Sequence, residues 1–459
     1  MQAWIRSVPS SDSRLRLAVL ALCCAALVAG ATWIVRGGAS SAPAVPAAIR
    51  GGDAAAPAAD VGSSDGLLPP DARVAFWERR VAAGGGYLDL IHLADAYVDR
   101  TRASGDIADL RRAQLALAQA LETTPNPSLV RVREAQVAFS LHEFSRALEI
   151  GDEVLASAPD DLTALTVTGD SLLELGQLDA ASERYDRLAE LAPSSASWSR
   201  LGRLAFLRGD ADAALGLVTR AADEADAGFP DEIAFYHVQL GDLERATGRL
   251  TDAAAAYGAA LAALPGHPAA SVGLAHVREA EGRRSDAIAL MEAAVRRLPQ
   301  PEWVATLGDL YALDGQSARA DEQYALVDAI AGLGDGAAVY DRVYIGFLAD
   351  HGRQPGEAVR RAQVALESRA DVFGYDALAW ALFANRDITA AADAARQAMA
   401  LGTPDPRMRY HAGLIAMAQG RDAEALEFLL QARDGSAMLP PLQVARLDEV
   451  IAELGESQP

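Results

Sequence analysis

The chain contains no lysine; all 41 of its basic side chains are arginine. A G-x-x-x-x-G-K-[ST] phosphate loop is therefore excluded. Acidic residues number 63 and the formal net charge is −22. That balance argues against a nucleic-acid partner, because affinity for a phosphate backbone needs a basic face. Cysteine is confined to Cys23 and Cys24, inside the N-terminal apolar run, so the rest of the chain holds no disulfide and no thiolate metal site. Aromatic residues are only 6% of the chain while Ala and Leu dominate, which points to an all-α fold.

Catalytic signatures are equally scarce. The seven histidines are scattered, and no two stand at ligand spacing on one helix. His142-Glu143-Phe144-Ser145-Arg146 begins like the H-E-x-x-H zinc site, but arginine replaces the second histidine. Gly62-Ser63-Ser64-Asp65-Gly66 matches the letters of a G-x-S-x-G elbow without a strand before it or a helix directly after it. Asn126-Pro127-Ser128 fails as a glycosylation site because of its proline. The many carboxylates read as solvated helix faces. The sequence thus predicts no enzymatic activity, no cofactor and no metal.

What the chain does have begins with an apolar run. Arg6, Arg14 and Arg16 precede Leu17–Val35, and Arg36 closes it. About 19 residues at ~1.5 Å rise span ~28 Å, close to the ~30 Å hydrocarbon core. Residues 1–36 are read as a single-pass membrane anchor, with cleavage at Ala29-Gly30-Ala31 as the alternative. The excess of arginine ahead of the run leaves the N-terminus in the cytoplasm and exports the rest. The expected location is the cell membrane with an extracytoplasmic domain, or secreted or periplasmic if the segment is removed. Leu22 is too large for the usual lipoprotein site before Cys23. Residues 37–70, rich in Gly, Ala, Ser and Pro, read as a disordered linker with a reach of roughly 30 Å.

Beyond the linker the sequence repeats itself. Taking Ala234 to His267 as one unit, Leu240, Gly241, Gly248, Ala253, Tyr257, Ala260 and Pro265 fall at positions 7, 8, 15, 20, 24, 27 and 32. Small residues at Gly241, Ala253 and Ala260 let two helices approach closely, Gly248 allows a turn and Pro265 ends the second helix. The unit resembles a tetratricopeptide repeat, a 34-residue helix–turn–helix module. That resemblance implies a right-handed α-solenoid of about ten tandem helix pairs and a general binding role, with no activity attached. One unit cannot bury its own apolar faces, so neighbours are required.

The repeats run from Tyr87 to Pro441. Asp71 to Ala83, with Val74, Phe76, Trp77 and Val81 on one face, reads as a leading helix, and Trp77 as a buried cap residue. The first repeat, 87–127, carries a turn about seven residues longer than the norm, Arg100 to Asp109. Repeats follow at 128–161, 162–194, 195–233, 234–267, 268–300, 301–337, 338–371, 372–405 and 406–441, with lengthened loops at Asp226–Asp231 and Gly332–Gly336. The solenoid with its leading helix spans 71–441. Residues 442–459 form a capping helix and tail, the amphipathic Leu442–Leu454 covering the open end of the array. Phe76-Trp77-Glu78, Leu307-Gly-Asp-Leu-Tyr311, Tyr375-Asp-Ala-Leu-Ala-Trp380 and Tyr410-His411-Ala-Gly413 give the whole a likeness to bacterial export-directed tetratricopeptide repeat proteins.

In tandem helix pairs the first helices line the concave side. Positions 5, 9 and 12 of those helices nominate Phe139, Asp170, Arg203, Phe206, Asp242, Arg245, His276, Trp380 and Tyr410 as partner-binding residues. Their mixture of apolar and charged groups suits an extended peptide or a partner helix. The subgroup of this family that clamps a C-terminal carboxylate uses lysines there, which this chain lacks. The reading is a membrane-tethered extracytoplasmic scaffold or adaptor for a protein or peptide. The alternative is a structural array that associates with copies of itself.

Overall fold

The computed structural model describes residues 68–332 and 337–456. The expected anchor, nearly all of the expected linker and most of the glycine cluster at 332–336 lie outside the described residues. Among the described residues no helix is long and apolar enough to cross a membrane. They form 22 α-helices and no strand.

Helix α1 (Pro70–Ala82) precedes ten pairs. These are α2 and α3 (Tyr87–Ser104, Ala108–Thr123), α4 and α5 (Pro127–Ser140, Phe144–Ser157), α6 and α7 (Leu162–Glu174, Leu178–Leu191), and α8 and α9 (Ser195–Leu207, Ala211–Asp223). They continue as α10 and α11 (Pro230–Ala246, Leu250–Ala263), α12 and α13 (Pro268–Ala280, Arg284–Arg297), and α14 and α15 (Pro301–Leu313, Ser317–Ala331). The last are α16 and α17 (Ala337–Asp350, Pro355–Ser368), α18 and α19 (Val372–Ala384, Ile388–Ala398), and α20 and α21 (Pro406–Ala418, Asp422–Asp434), followed by α22 (Pro441–Glu456).

Local chemistry sets these boundaries. Proline occupies the first turn of α4, α10, α12, α14, α17 and α20, where its missing N–H costs nothing. Aspartates cap others: the Asp210 side chain accepts from Ala213 N at 2.9 Å and that of Asp371 from Gly374 N at 2.7 Å. Two residues after the first helix of most pairs the backbone turns left-handed. Glycine supplies that turn at 176, 209, 248, 282, 315, 352 and 420, whereas His142 and Arg386 adopt it with side chains.

A Gly-Asp…Tyr device fastens first helix to second in three pairs. A Cβ on Gly169, Gly241 or Gly308 would stand 2.7, 2.6 or 2.5 Å from a ring carbon of Tyr185, Tyr257 or Tyr324. Each ring can therefore lie flat against the opposite backbone. Each hydroxyl then donates to the aspartate that follows the glycine, Asp170, Asp242 or Asp309, at 2.8, 2.6 and 2.9 Å.

The chain divides into two compact units within α6, one ending at Thr168 and the other starting at Gly169. In the first unit, α1 packs on α2 and buries Trp77, 4% exposed, stacked on His92 at 4.5 Å between ring centroids. The long turn expected at Arg100–Asp109 is instead mostly helix. Helix α2 runs to Ser104, left-handed Gly105 stops it, and the buried carboxylate of Asp109 holds Arg100 through two hydrogen bonds of 2.6 and 2.7 Å.

The second unit closes on itself. The turn at Gly176 meets Ala370 and Asp371, that at Gly209 meets Gly402, and that at Gly248 meets Asp434. Three successive turns thus touch connections between five and six repeats further on, in register. Thr403 donates to the Leu207 carbonyl, 196 residues away, and Glu174 pairs with Arg369. Pitch of this kind accumulates from small rotations between neighbouring repeats. It brings first helices from distant repeats to face one another.

Candidate partner-binding cavity

A cavity of about 360 Å³ opens among those first helices. Its lining comes from α12, α14, α16, α18 and α20, their immediate ends, and the stretch Met438–Pro440; no second helix contributes. Helix α12 supplies His276. Helix α14 supplies Glu302, Thr306 and Asp309, and α16 supplies Arg342, Phe347 and Asp350, with His351 just past its end. Phe373, Asp376 and Trp380 come from α18, and Arg407 and His411 from α20, next to its cap Asp405.

The side chains form two networks. In one, Asp309 Oδ1 accepts from Tyr324 Oη and from His351 Nε2, both at 2.9 Å. Burial pushes the Asp309 carboxyl up, against the opposing pull of His351. Burial also acts downward on His351, but the hydrogen bond and charge of Asp309 outweigh it and raise the imidazole above its ordinary value. In the other network, Trp380 stacks on His411 with ring centroids 4.2 Å apart and an interplanar angle of 11°. His411 Nδ1 lies 3.0 Å from Asp376, and Trp380 Nε1 donates to Asp350 Oδ1 at 2.7 Å. Gln443, from α22, donates to the same Asp350 oxygen at 2.7 Å.

His276 stands apart, half-buried. Burial, joined by the charges of Arg245 and Arg407, pushes it well below its ordinary value. Arg407 pairs with Glu302 at 3.1 Å.

The C-terminal segment forms one wall. The expected capping helix, α22, does pack on α21, the outer helix of the last pair. It also packs on α14, three pairs earlier, and the short turn Ser436–Met438 reaches α10 and α12. Leu439, Leu447, Val450 and Leu454 share a core with Ala349, Trp380 and Tyr410.

The nine residues nominated by repeat position have varied surroundings. His276 and Trp380 line the cavity, and Tyr410, 3% exposed, packs behind Trp380. Arg245 is buried and donates to the Ala437 carbonyl at 2.8 Å, 192 residues away, while holding Asp242 at 3.3 Å. Asp242 also receives the Tyr257 hydroxyl. Asp170 is buried between Tyr185 and Arg200, the latter at 2.9 Å. Phe139 packs edge-on against Phe144 of its own pair. Arg203 is exposed and reaches Glu174 at 2.7 Å, at a smaller cavity of about 180 Å³ beside the stacked turns. Phe206 packs, half-buried, against Leu215 and its neighbours.

Position counting missed Asp350, Asp376, His351, His411 and Arg407 as parts of one site. The Tyr410-His411 pair and the Asp405-Pro406 helix start were visible signals. Their convergence was not, because it depends on the closure of the array.

Sequence profiles described as tetratricopeptide repeat match residues 166–229, 244–310 and 377–437. No curated protein matches the chain in sequence. Among solved structures, the type IV pilus biogenesis factor PilW is 19% identical, covers 47% of this chain and 99% of its own, with a TM-score of 0.38. A tetratricopeptide repeat protein from Parabacteroides merdae is 16% identical over 54% of this chain and 94% of its own, with a TM-score of 0.39. Human IFIT1 is 14% identical over 81% of this chain and 96% of its own, with a TM-score of 0.44.

Proposed function

Because the chain is a tetratricopeptide repeat protein, we propose that it serves as a membrane-tethered scaffold that holds a protein or peptide partner on its first-helix face, outside the cytoplasm. A repeat array of this family is a protein-interaction scaffold. The finer reading adds the tether, the side of the membrane and the place where the partner sits. The tether and the side rest on the apolar run Leu17–Val35 and the arginines before it. The observation that carries the binding site is the cavity, lined by the first helices of five pairs and by no second helix. A concave site with aromatic walls and a few convergent polar groups is the ordinary form of a ligand pocket.

A photo-cross-linking side chain at Ala377, on the cavity wall, tests this in native membranes, with the same group at exposed Leu115 as the reference. The scaffold reading expects a discrete protein adduct from position 377 that Trp380→Ala weakens. An adduct from position 115 alone, or none from either, overturns it. Protease protection of the array in sealed cells, lost on permeabilising the outer face, tests the side of the membrane. Degradation only from the cytoplasmic side contradicts the proposed topology.

A further inference from the structure

Resting on that scaffold reading, we infer that the cavity receives a cationic side chain of the partner, an arginine or a lysine. Its wall carries five carboxylates, Glu302, Asp309, Asp350, Asp376 and Asp405, against the two guanidiniums of Arg342 and Arg407. Arg342 is already committed to Asp371, at 2.6 and 3.0 Å, and Arg407 to Glu302. A carboxylate ligand would have to compete with those pairs.

The carboxylates have acceptor capacity left. In Asp309, Asp350 and Asp405 every hydrogen bond falls on Oδ1: Tyr324 and His351 on the first, Trp380 and Gln443 on the second, the backbone N–H groups of Arg407 and Met408 on the third. Among the described residues no donor reaches these Oδ2 atoms, although a carboxylate has about four lone-pair sites. A separate side chain points the same way. Gln443 is 5% exposed, and its Oε1 is buried without a hydrogen-bond partner. Its amide lies behind the cavity wall, since Nε2 donates to Asp350 and lies 3.4 Å from His411, two of the lining residues.

A surplus of acceptors beside a buried, unsatisfied carbonyl calls for a ligand made only of donors. Guanidinium has five N–H groups and ammonium three, and neither accepts. Phe373, half-buried on the wall, suits the methylene stem and the cation.

A random-peptide display library panned against the full-length protein in detergent, followed by calorimetric titration of a selected peptide, tests the inference. Selected peptides should share an arginine or lysine. In an arginine peptide, replacing that residue by citrulline, which keeps the shape and removes the charge, should weaken binding by roughly tenfold or more. Asp350→Asn should weaken the arginine peptide similarly and leave the citrulline peptide within about twofold. Because citrulline changes only the ligand, a folding defect in the variant cannot account for a loss. Peptides without a basic residue that still lose binding on Trp380→Ala overturn the cationic ligand and keep the scaffold. Equal binding of the arginine and citrulline peptides overturns the cationic ligand as well. A library that yields no binder overturns both readings.

Discussion

Gly248→Ala separates local backbone strain from contact between stacked turns of the array. Gly248 has φ +77°, and a Cβ there would run into the carbonyl oxygen of Asp434. Gly282 has φ +74°, at the equivalent turn of the next pair, and a Cβ there meets nothing within 4 Å. Both substitutions incur the left-handed penalty of about 1–2 kcal/mol. Both also gain the same partial offset from a stiffer unfolded chain, about 0.4–1 kcal/mol. Only Gly248→Ala adds overpacking against a distant backbone, about 1–3 kcal/mol. The difference between the two should therefore be about 1–3 kcal/mol, whatever the common terms are. Repeat arrays open piecewise, so native-state hydrogen exchange reads the effect better than a single melting point. In Gly248→Ala, faster exchange should appear at 245–248 and also at the Ser436–Met438 turn. Equal effects of the two substitutions, with no change at 436–438, would refute the contact between turns.

Further outcomes follow from the same geometry. Tyr257→Phe removes the donor to Asp242 and should cost about 1 kcal/mol by urea unfolding, with little change of ring packing. Arg386→Gly relieves a left-handed residue at φ +65° at the expense of a more flexible unfolded chain, so its net effect should lie between about zero and about 1.6 kcal/mol of stabilisation, measured the same way. Two of the three cavity histidines should respond to pH in opposite directions. His351 has a raised value in the fold, so its stabilisation is full below about pH 6.5 and is lost as pH rises through the raised value; His351→Gln should abolish that loss in exchange at α16. His276 has a depressed value, so stability around α12 should fall as pH drops below about 6.5, and His276→Gln should flatten the profile.

The helix pairs were legible because their causes are local. Gly241 and Tyr257 at fixed spacing, Gly248 at the turn and Pro265 near the end of the second helix each act within one repeat. The same spacing carried a false implication about exposure. Asp170 and Asp242 stand at a groove position in the count, yet each accepts its own repeat's tyrosine, so part of the supposed groove chemistry is spent on fastening pairs. Arg245 is a second instance: its guanidinium serves the Ala437 carbonyl, a partner no local pattern can reveal. The insertion around Arg100–Asp109 was misread for another reason. Arg100, Thr101 and Arg102 continue the helix, and only Gly105 has the conformation that stops it.

Hydrogen exchange of the full-length protein, with and without a selected peptide, tests the first-helix face as the binding surface most directly. Bound peptide should slow exchange in α14, α18 and α20 and in residues 436–443, and leave the second helices α15, α19 and α21 unchanged. Protection confined to those second helices would contradict the site.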